Sequence, residues 1–225
     1  MSKGPTGAWD WAFAWEILPN LLQATGYTIF ATLVSFIGAL LIGLPFALLR
    51  NSKIQALNQT TGALVEFIRS TPILIQIYFL YFILPTIGVV LPALVVGIFA
   101  LSLHYGAYIS ESYRAGIASV PSGQRDAATA LGLSKFALYY KILLPQALPP
   151  IIPSLGNHLI ALFKETPLLS AIAIIELIQT AKLIGSDTFR YNEPITLAGL
   201  ILLTLSLLAA RLMTIIEYRA WRWRG

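Results

Sequence analysis

Two adjacent ionisable residues, Lys164 and Glu165, directly follow residues 142–163, which contain no Asp, Glu, Lys or Arg. Because ionised side chains are costly inside a membrane, such residues beside a long apolar run are candidates for a functional site. An ammonium group suits a carboxylate, and a carboxylate suits a cationic nitrogen. Neighbouring helix residues do not face each other, so both side chains are expected to border one cavity rather than to pair. Together they predict a site for a zwitterionic solute.

A second interpretation of Lys164 and Glu165 stays open. They can instead neutralise charged residues on neighbouring helices, and the available partners in the sequence are Glu66, Arg69 and Glu111. Further polar residues in apolar segments are weaker candidates for the same solute pathway, namely Gln76, Tyr78, Tyr108 and Asn157.

Two pairs of opposite charge are spaced for salt bridges within a helix. Glu66 and Arg69 stand three positions apart, and Glu111 and Arg114 repeat that spacing. Side chains three apart lie on the same face of a helix, so we interpret both pairs as structural.

A long polar loop, residues 115–148, is expected to fold as two short helices. Pro121 and Ser122 open the first, Asp126 is placed in its first turn, where a negative charge suits the helix dipole, and Gly132 ends it. Small side chains keep this helix slim, namely Ala127, Ala128 and Ala130.

The second helix of the loop is expected to begin after Ser134, which can cap it, and to stop at Pro145. The basic residues Arg125, Lys135 and Lys141 border the loop. The pattern favours docking on a cytoplasmic partner, and the alternative is an amphipathic helix lying on anionic lipid.

The composition of the chain indicates that these residues belong to a membrane protein. Hydrophobic residues make up 57% of the 225 residues and charged residues 11%, against about 25% charged in soluble domains. This excludes a soluble globule and a disordered chain, and the absence of cysteine excludes a disulfide scaffold. The net charge of +5 is therefore interpreted as a cytoplasmic rim of Lys and Arg and not as a nucleic-acid surface.

Runs without charge predict five membrane-spanning helices. An interfacial lead-in reaches Leu22, and Pro45 with Gly43 is expected to bend the end of the first span. A break at Pro85, Gly88 and Pro92 separates the second span from the third, because the uncharged run there is too long for one span. The predicted spans are residues 25–49, 63–84, 92–114, 150–175 and 194–210.

The distribution of Lys and Arg predicts the orientation. With the C-terminus in the cytoplasm, eleven Lys and Arg residues lie inside and three lie outside, so the N-terminus is expected outside. Tryptophans at both ends fit interfacial anchors, namely Trp9, Trp11, Trp15, Trp221 and Trp223.

The sequence has no phosphate-binding glycine loop, no GxGxxG and no HExxH. A transport protein is therefore favoured over a membrane enzyme. A self-sufficient secondary transporter is the alternative, although no internal repeat supports it, and a noncatalytic membrane anchor is a third class.

The polar loop resembles the EAA loop of binding-protein-dependent ABC importers, whose pattern is EAA-x3-G-x9-I-x-L-P. Asp126 stands in place of glutamate, which keeps the charge with a shorter reach. The other matching residues are Ala127, Ala128, Gly132, Ile142, Leu144 and Pro145.

Three further stretches resemble the polar amino acid permease branch of these importers. Residues 67–76 are similar to FRGTPLLVQ, residues 106–121 to the third span and its exit, and residues 164–170 to K-[DE]-[TS]-S-L-L-S, with Pro167 at a serine position. The tryptophan-rich start, residues 9–22, is similar to permeases for compatible solutes of the ectoine type. The resemblance covers residues 25–218.

This resemblance implies an all-α, type I (MetI-like) importer permease of the bacterial inner membrane that takes up a polar amino acid or related zwitterion by alternating access. It implies a second permease subunit, identical or different, a solute-binding protein and two ATPase subunits, which hold ATP and Mg²⁺, whereas this chain holds no cofactor. It divides the chain into an interfacial segment (1–22), the permease domain (23–218) with its coupling loop (121–145), and a basic tail (219–225). The residues implied to contact the ATPase are Arg125, Asp126, Ala127, Ala128 and Gly132.

Overall fold

The computed structural model describes residues 9–222, with the side chains of Lys135, Trp221 and Arg222 left out. The predicted anchors Trp221 and Trp223 therefore lie outside the described side chains. The helices in this part of the chain are α1 (Trp11–Arg50), α2 (Gln55–Ser70), α3 (Ile73–Tyr78), α4 (Ala93–Ala118), α5 (Ser122–Ala130), α6 (Lys135–Ala137), α7 (Leu144–Glu165), α8 (Leu177–Thr188) and α9 (Asn192–Arg222).

Three of these helices, α1, α4 and α9, are long and apolar enough to cross a membrane. Two broken helix pairs bring the number to five if each pair counts as one span, which agrees with the predicted five. The pairs are Gln55–Ser70 with Ile73–Ile87, and Leu138–Ile172 with Leu177–Thr188. The all-helical fold class is thereby confirmed for the described residues.

Residues 11–22, predicted as an interfacial lead-in, belong to the same 40-residue helix as the first span, so this helix begins before the predicted span does. This helix also continues through Pro45 to Arg50. Membrane helices tolerate proline because neighbouring groups satisfy the freed backbone carbonyl.

The second predicted span, residues 63–84, is also wrong as a continuous helix. It is broken at Thr71 and Pro72, and Thr71 adopts an extended conformation (φ −99°, ψ 131°), as residues before proline commonly do. The break predicted before the third span is present: a 3-10 turn, Leu84–Ile87, leads to Gly88 at φ 87°.

The fourth span differs from the prediction at both ends. Pro145 does not stop a helix, because the chain passes from a π turn, Leu138–Leu143, directly into α7. The π turn just before Pro145 allows this, because local π adjustments compensate for the hydrogen bond that a proline removes from a membrane helix. The α-helix then ends at Glu165 and not near Ile175, and a 3-10 segment, Thr166–Ile172, follows it.

The chain divides into two compact units. The first unit comprises Met1–Ser35, Pro72–Leu101 and Ala161–Leu208, and the second comprises Phe36–Thr71, Ser102–Ile160 and Ala209–Gly225.

The first unit is built around the start of α1. Ile17 and Leu21 of α1 are buried against Leu177 and Ala181 of α8 and Ala198 of α9. Helix α8 was not predicted as an element of its own.

A charged cluster joins two segments of the first unit, residues 10–13 and 190–193. Arg190 donates to Asp10 over 3.0 Å and to Glu193 over 2.5 Å, and its guanidinium lies 4.7 Å from the centre of the Phe13 ring. The backbone N–H of Asp10 also donates to Glu193 over 3.0 Å.

The second unit packs its helices through small residues. A Cβ added at Gly43 of α1 would lie 3.0 Å from the carbonyl oxygen of Gly106 on α4, and one added at Gly106 would lie 2.9 Å from Ile42. Small residues of this kind let membrane helices approach closely and gain dispersion contacts. Val65 and Ile68 of α2 are buried against Ala107 of α4 in the same unit.

Candidate functional site

The loop that matches the EAA pattern has a well-defined end to its short helix. Gly132 lies just beyond α5 at φ 65°, a left-handed conformation that suits glycine because it has no Cβ. The N–H of Leu133 donates to Ala128 over 3.0 Å, and the N–H of Gly132 donates to Thr129 over 3.0 Å. These two bonds form a Schellman motif, so Gly132 ends the helix as predicted.

Ser134 begins the second helical part of the loop. Its hydroxyl accepts from the N–H of Ala137 over 3.2 Å, which confirms the predicted cap. The placement of Asp126 in the first turn of α5 is wrong: the helix begins at Ser122, four residues earlier, and its first turn holds no acidic residue.

A buried apolar cluster holds the loop on the second unit. Val120, Leu143, Ala147 and Ile151 form its core, and Tyr113, Ile117, Leu138 and Leu155 pack around it. The loop is therefore supported by α4 on one side and by α7 on the other.

The loop presents both polar and apolar side chains to its surroundings. Arg125, Asp126 and Ala127 are exposed, whereas Ala128 faces inward and is buried. Sequence reasoning missed a neighbouring apolar surface: Leu131, Phe136 and Tyr140 are exposed, and the rings of the last two stack with centroids 5.7 Å apart. The four-residue spacing of Phe136 and Tyr140 was the available signal.

The acidic residues assigned to structural ion pairs have basic partners in the second unit. Arg114 Nη1 lies 2.7 Å from Glu111 Oε2, and Arg69 Nη1 lies 3.7 Å from Glu66 Oε2. Glu111 also pairs with Arg50, the last residue of α1, a contact that the sequence did not predict. The charges proposed as alternative partners of Lys164 and Glu165 are thus each engaged within the second unit.

Tyr108, a predicted pathway residue, belongs to a polar cluster in the second unit. Its hydroxyl donates to the carbonyl oxygen of Arg69 over 3.1 Å, and its ring centre lies 6.0 Å from that of His158. Ser112 lies within hydrogen-bond distance of Ser154, at 2.7 Å, and of His158 Nε2, at 3.2 Å.

Asn157 precedes His158 on α7 and is exposed. Sequence reasoning missed Ser112 and Ser154, which lie beside His158. The four-residue spacing between Tyr108 and Ser112, and between Ser154 and His158, placed each pair on one helix face and was the available signal.

Lys164, Glu165 and Gln76 lie in the first unit. Lys164 is exposed in the last turn of α7, where a cation is favoured by the helix dipole, and Glu165 and Gln76 are partly buried.

Sequence reasoning also missed a buried carboxylate in the first unit, Glu176. It is fully buried and caps α8 by accepting from Ile178 N–H over 3.0 Å and from Gln179 N–H over 2.8 Å. Thr28 of α1 donates to it over 3.5 Å. An acidic residue within the apolar run 166–181 was the available signal.

Residues 9–222 include no group of three or more His, Asp or Glu side chains that could hold a metal ion.

Comparison with known proteins decides the class. Residues 39–222 match the model of a family described as "Binding-protein-dependent transport system inner membrane component". The chain belongs to this family.

Two relatives extend the similarity of the permease over most of its length. It is 42% identical over 212 residues to "Probable amino-acid ABC transporter permease protein y4tG" of Sinorhizobium fredii, covering 94% of this chain and 92% of that protein. It is 37% identical over 180 residues to "L-cystine transport system permease protein TcyB" of Bacillus subtilis. That match covers 78% of this chain and 77% of that protein.

Solved structures support the same fold for the permease. "Crystal structure of an amino acid ABC transporter with histidines" matches with a TM-score of 0.88 and 32% identity, over 94% of this chain and 99% of that chain. A structure of the MetNI methionine ABC transporter matches with a TM-score of 0.77 over 91% of this chain and 98% of that chain. At 23% identity, this match shows similarity of fold alone.

The permease is thus a multi-pass component of the inner membrane with the type I, MetI-like fold, and a translocation subunit rather than an enzyme. As a permease of the ABC importer class, it works with an ATPase and with a solute-binding protein.

Proposed function

We propose that this permease imports a polar amino acid or a related zwitterion by alternating access, and that the loop 121–145 couples it to a separate ATPase. The observation that carries the proposal is the loop itself. It presents Arg125, Asp126 and Ala127 outward on a short helix that Gly132 terminates at φ 65°.

The structure of the loop suits it to transmit a displacement from the ATPase to the membrane-spanning helices. A rigid helix end and a buried apolar support on α4 and α7 let a displacement of α5 reach both long helices. Closure of the ATPase would therefore tilt the spans between inward-facing and outward-facing states. ATP and Mg²⁺ would be bound by the ATPase, and this chain would hold no cofactor.

The assembly would contain two ATPase subunits and a second permease subunit, either a second copy or a different chain. In the proposed orientation the loop and the C-terminus face the cytoplasm. The charge distribution supports this, because most Lys and Arg residues lie in segments that this orientation places in the cytoplasm.

The substrate class is inferred from the polar residues in the apolar segments. Lys164 would bind a substrate carboxylate and Glu165 a cationic nitrogen, with Gln76, Tyr108 and Asn157 along the pathway. The names of the relatives given above support an amino acid. A compatible solute of the ectoine type is the second substrate class to be compared.

Co-purification tests the coupling proposal. The tagged permease, expressed with the ATPase encoded beside it, should retain that ATPase in mild detergent, and Asp126→Lys should release it. Glu16→Lys is the matched control, because it reverses the charge of an exposed carboxylate on α1, outside the loop 121–145. Equal ATPase retention by the Asp126 variant and the natural chain would contradict the role of the loop.

A further inference from the structure

The second unit contains a cavity of about 460 Å³ between the end of α1, the last turns of α4, the start of α5 and the π turn after α6. Its lining combines two guanidinium groups with three other polar side chains and an apolar floor. The polar lining residues are Asn51, Arg114, Ser122, Arg125 and Tyr139.

The charge around this cavity is unbalanced. Glu111 is shared by Arg50 and Arg114, so one carboxylate faces two guanidinium groups. Arg125 donates to the carbonyl oxygen of Ile117 over 3.3 Å, and among the described side chains it has no carboxylate partner. The cavity therefore carries an excess of positive charge.

The cavity also offers hydrogen-bond donors beyond those already used. Arg125 donates through Nη2 in its bond to Ile117, and the other N–H groups of its guanidinium have no acceptor among the described residues. Planar guanidinium groups bind phosphate oxygens through paired N–H donors. An anion with several oxygens would satisfy such donors and balance the charge together.

An apolar path leads to the cavity along α1. Leu41, Leu44 and Leu48 are 68%, 51% and 57% exposed. Their spacing places them on one face of the helix, and Asn51, which lines the cavity, continues that face. The positively charged cavity and the apolar face of α1 therefore lie next to each other. A ligand with a phosphate headgroup and hydrocarbon chains could contact both.

We propose that this cavity binds a phosphate group and that the headgroup of an anionic phospholipid supplies it, with its acyl chains along Leu41, Leu44 and Leu48. Basic pockets next to membrane-spanning helices bind anionic headgroups in this way. The proposal concerns a lipid site and does not depend on which solute the permease carries.

Native mass spectrometry of the delipidated permease, measured both with and without its ATPase, tests this proposal. Both states are needed because Arg125 is also a proposed ATPase contact. Phosphatidylglycerol and phosphatidylcholine with the same acyl chains are titrated separately. We expect phosphatidylglycerol to bind the natural chain more tightly, and Arg125→Gln to weaken it at least about fivefold, which corresponds to one lost Arg–anion contact.

Two more variants keep the test interpretable. Asn51→Leu leaves every charge in place and should also weaken binding if the headgroup enters the cavity. Arg219→Gln removes an exposed charge from α9 and should leave binding unchanged. Equal affinity for both lipids, or unchanged phosphatidylglycerol binding in both cavity variants, would overturn the proposal.

A competition with inorganic phosphate separates two sources of the same chemistry. Displacement of phosphatidylglycerol only at far higher phosphate concentrations assigns the site to the lipid headgroup. Phosphate that binds as tightly as the lipid and is lost in Arg125→Gln assigns the same site to free phosphate.

Discussion

Arg190 donates to the carboxylate of Asp10 over 3.0 Å, although 180 positions separate the two residues in the chain. Asp10 precedes α1 and Arg190 precedes α9, so this bond joins the beginnings of two long helices of the first unit. The position of α1 at this end is thereby tied to α9.

This contact predicts an acid-dependent stability. The hydrogen bond from Arg190 lowers the pKa of Asp10 from its ordinary 3.8. A carboxyl with a lowered pKa stabilises the folded state above its unfolded pKa, and that contribution is lost as the pH falls through the folded value. Asp10→Asn should therefore lower the melting temperature at neutral pH, with a difference that shrinks below about pH 3.8.

Glu16→Gln is the matched control for Asp10, because Glu16 is exposed on the first turns of α1 and forms no salt bridge in the described part of the chain. Its melting temperature should follow that of the natural chain at every pH. A constant difference between Asp10→Asn and the natural chain from neutral to acid pH would contradict the assigned contact.

Gly132→Ala should weaken coupling without affecting packing. A Cβ at Gly132 meets nothing within 4 Å, but the φ of 65° strains any L-residue other than glycine, by about 1 kcal/mol. We expect less ATPase to co-purify and slower uptake. Gly123→Ala, where a Cβ is also in open space, should behave as the natural chain.

Gly132→Asn sharpens this test, since asparagine tolerates the left-handed conformation better than alanine. ATPase retention should rank the natural chain first, Gly132→Asn second and Gly132→Ala last. If both variants retained as much ATPase as the natural chain, the helix end would not matter for coupling.

Glu111→Gln should destabilise the second unit much more than Glu66→Gln. Glu111 is 30% exposed and bonded by two arginines, whereas Glu66 is 69% exposed and 3.7 Å from its partner. Loss of a part-buried charged hydrogen bond costs about 2 kcal/mol, and loss of an exposed ion pair less than about 1 kcal/mol. Thermal unfolding in detergent measures both, and equal effects would contradict the pairing.

Gly116→Ala should disrupt the support of the coupling loop. A Cβ there would collide with the side chain of Ile151 and lie 3.1 Å from the carbonyl oxygen of Ala147, both on α7. Overpacking of this kind costs about 1–3 kcal/mol. Gly199→Ala on α9, where a Cβ meets nothing, is the control, and an equal melting temperature for both variants would argue against this close approach.

Composition and charge-free runs were sufficient to predict an all-helical membrane fold with up to five spans, because the bilayer fixes the length and polarity of each span. The same reasoning placed the breaks inside spans wrongly. Proline at position 72 interrupts a helix while Pro45 and Pro145 do not, and the difference depends on which carbonyl groups find other donors. Those donors are set by tertiary contacts, which the local sequence does not show.

The candidate site was predicted unevenly for a similar reason. Gly132 and Ser134 act locally, so their roles in ending and starting helices followed from spacing. The partners of Glu111 and Glu176 come from distant positions, Arg50 and Thr28. No local pattern in the sequence specifies such pairs.

Uptake in proteoliposomes tests the central claim most directly. The permease is reconstituted with its ATPase, and its solute-binding protein is added outside together with labelled amino acids or ectoine. We predict uptake of one zwitterionic class that requires ATP on the ATPase side, is abolished by Lys164→Met and persists in Lys182→Met, both with unchanged membrane abundance. Uptake by the permease alone without ATP would contradict the account and favour a secondary transporter.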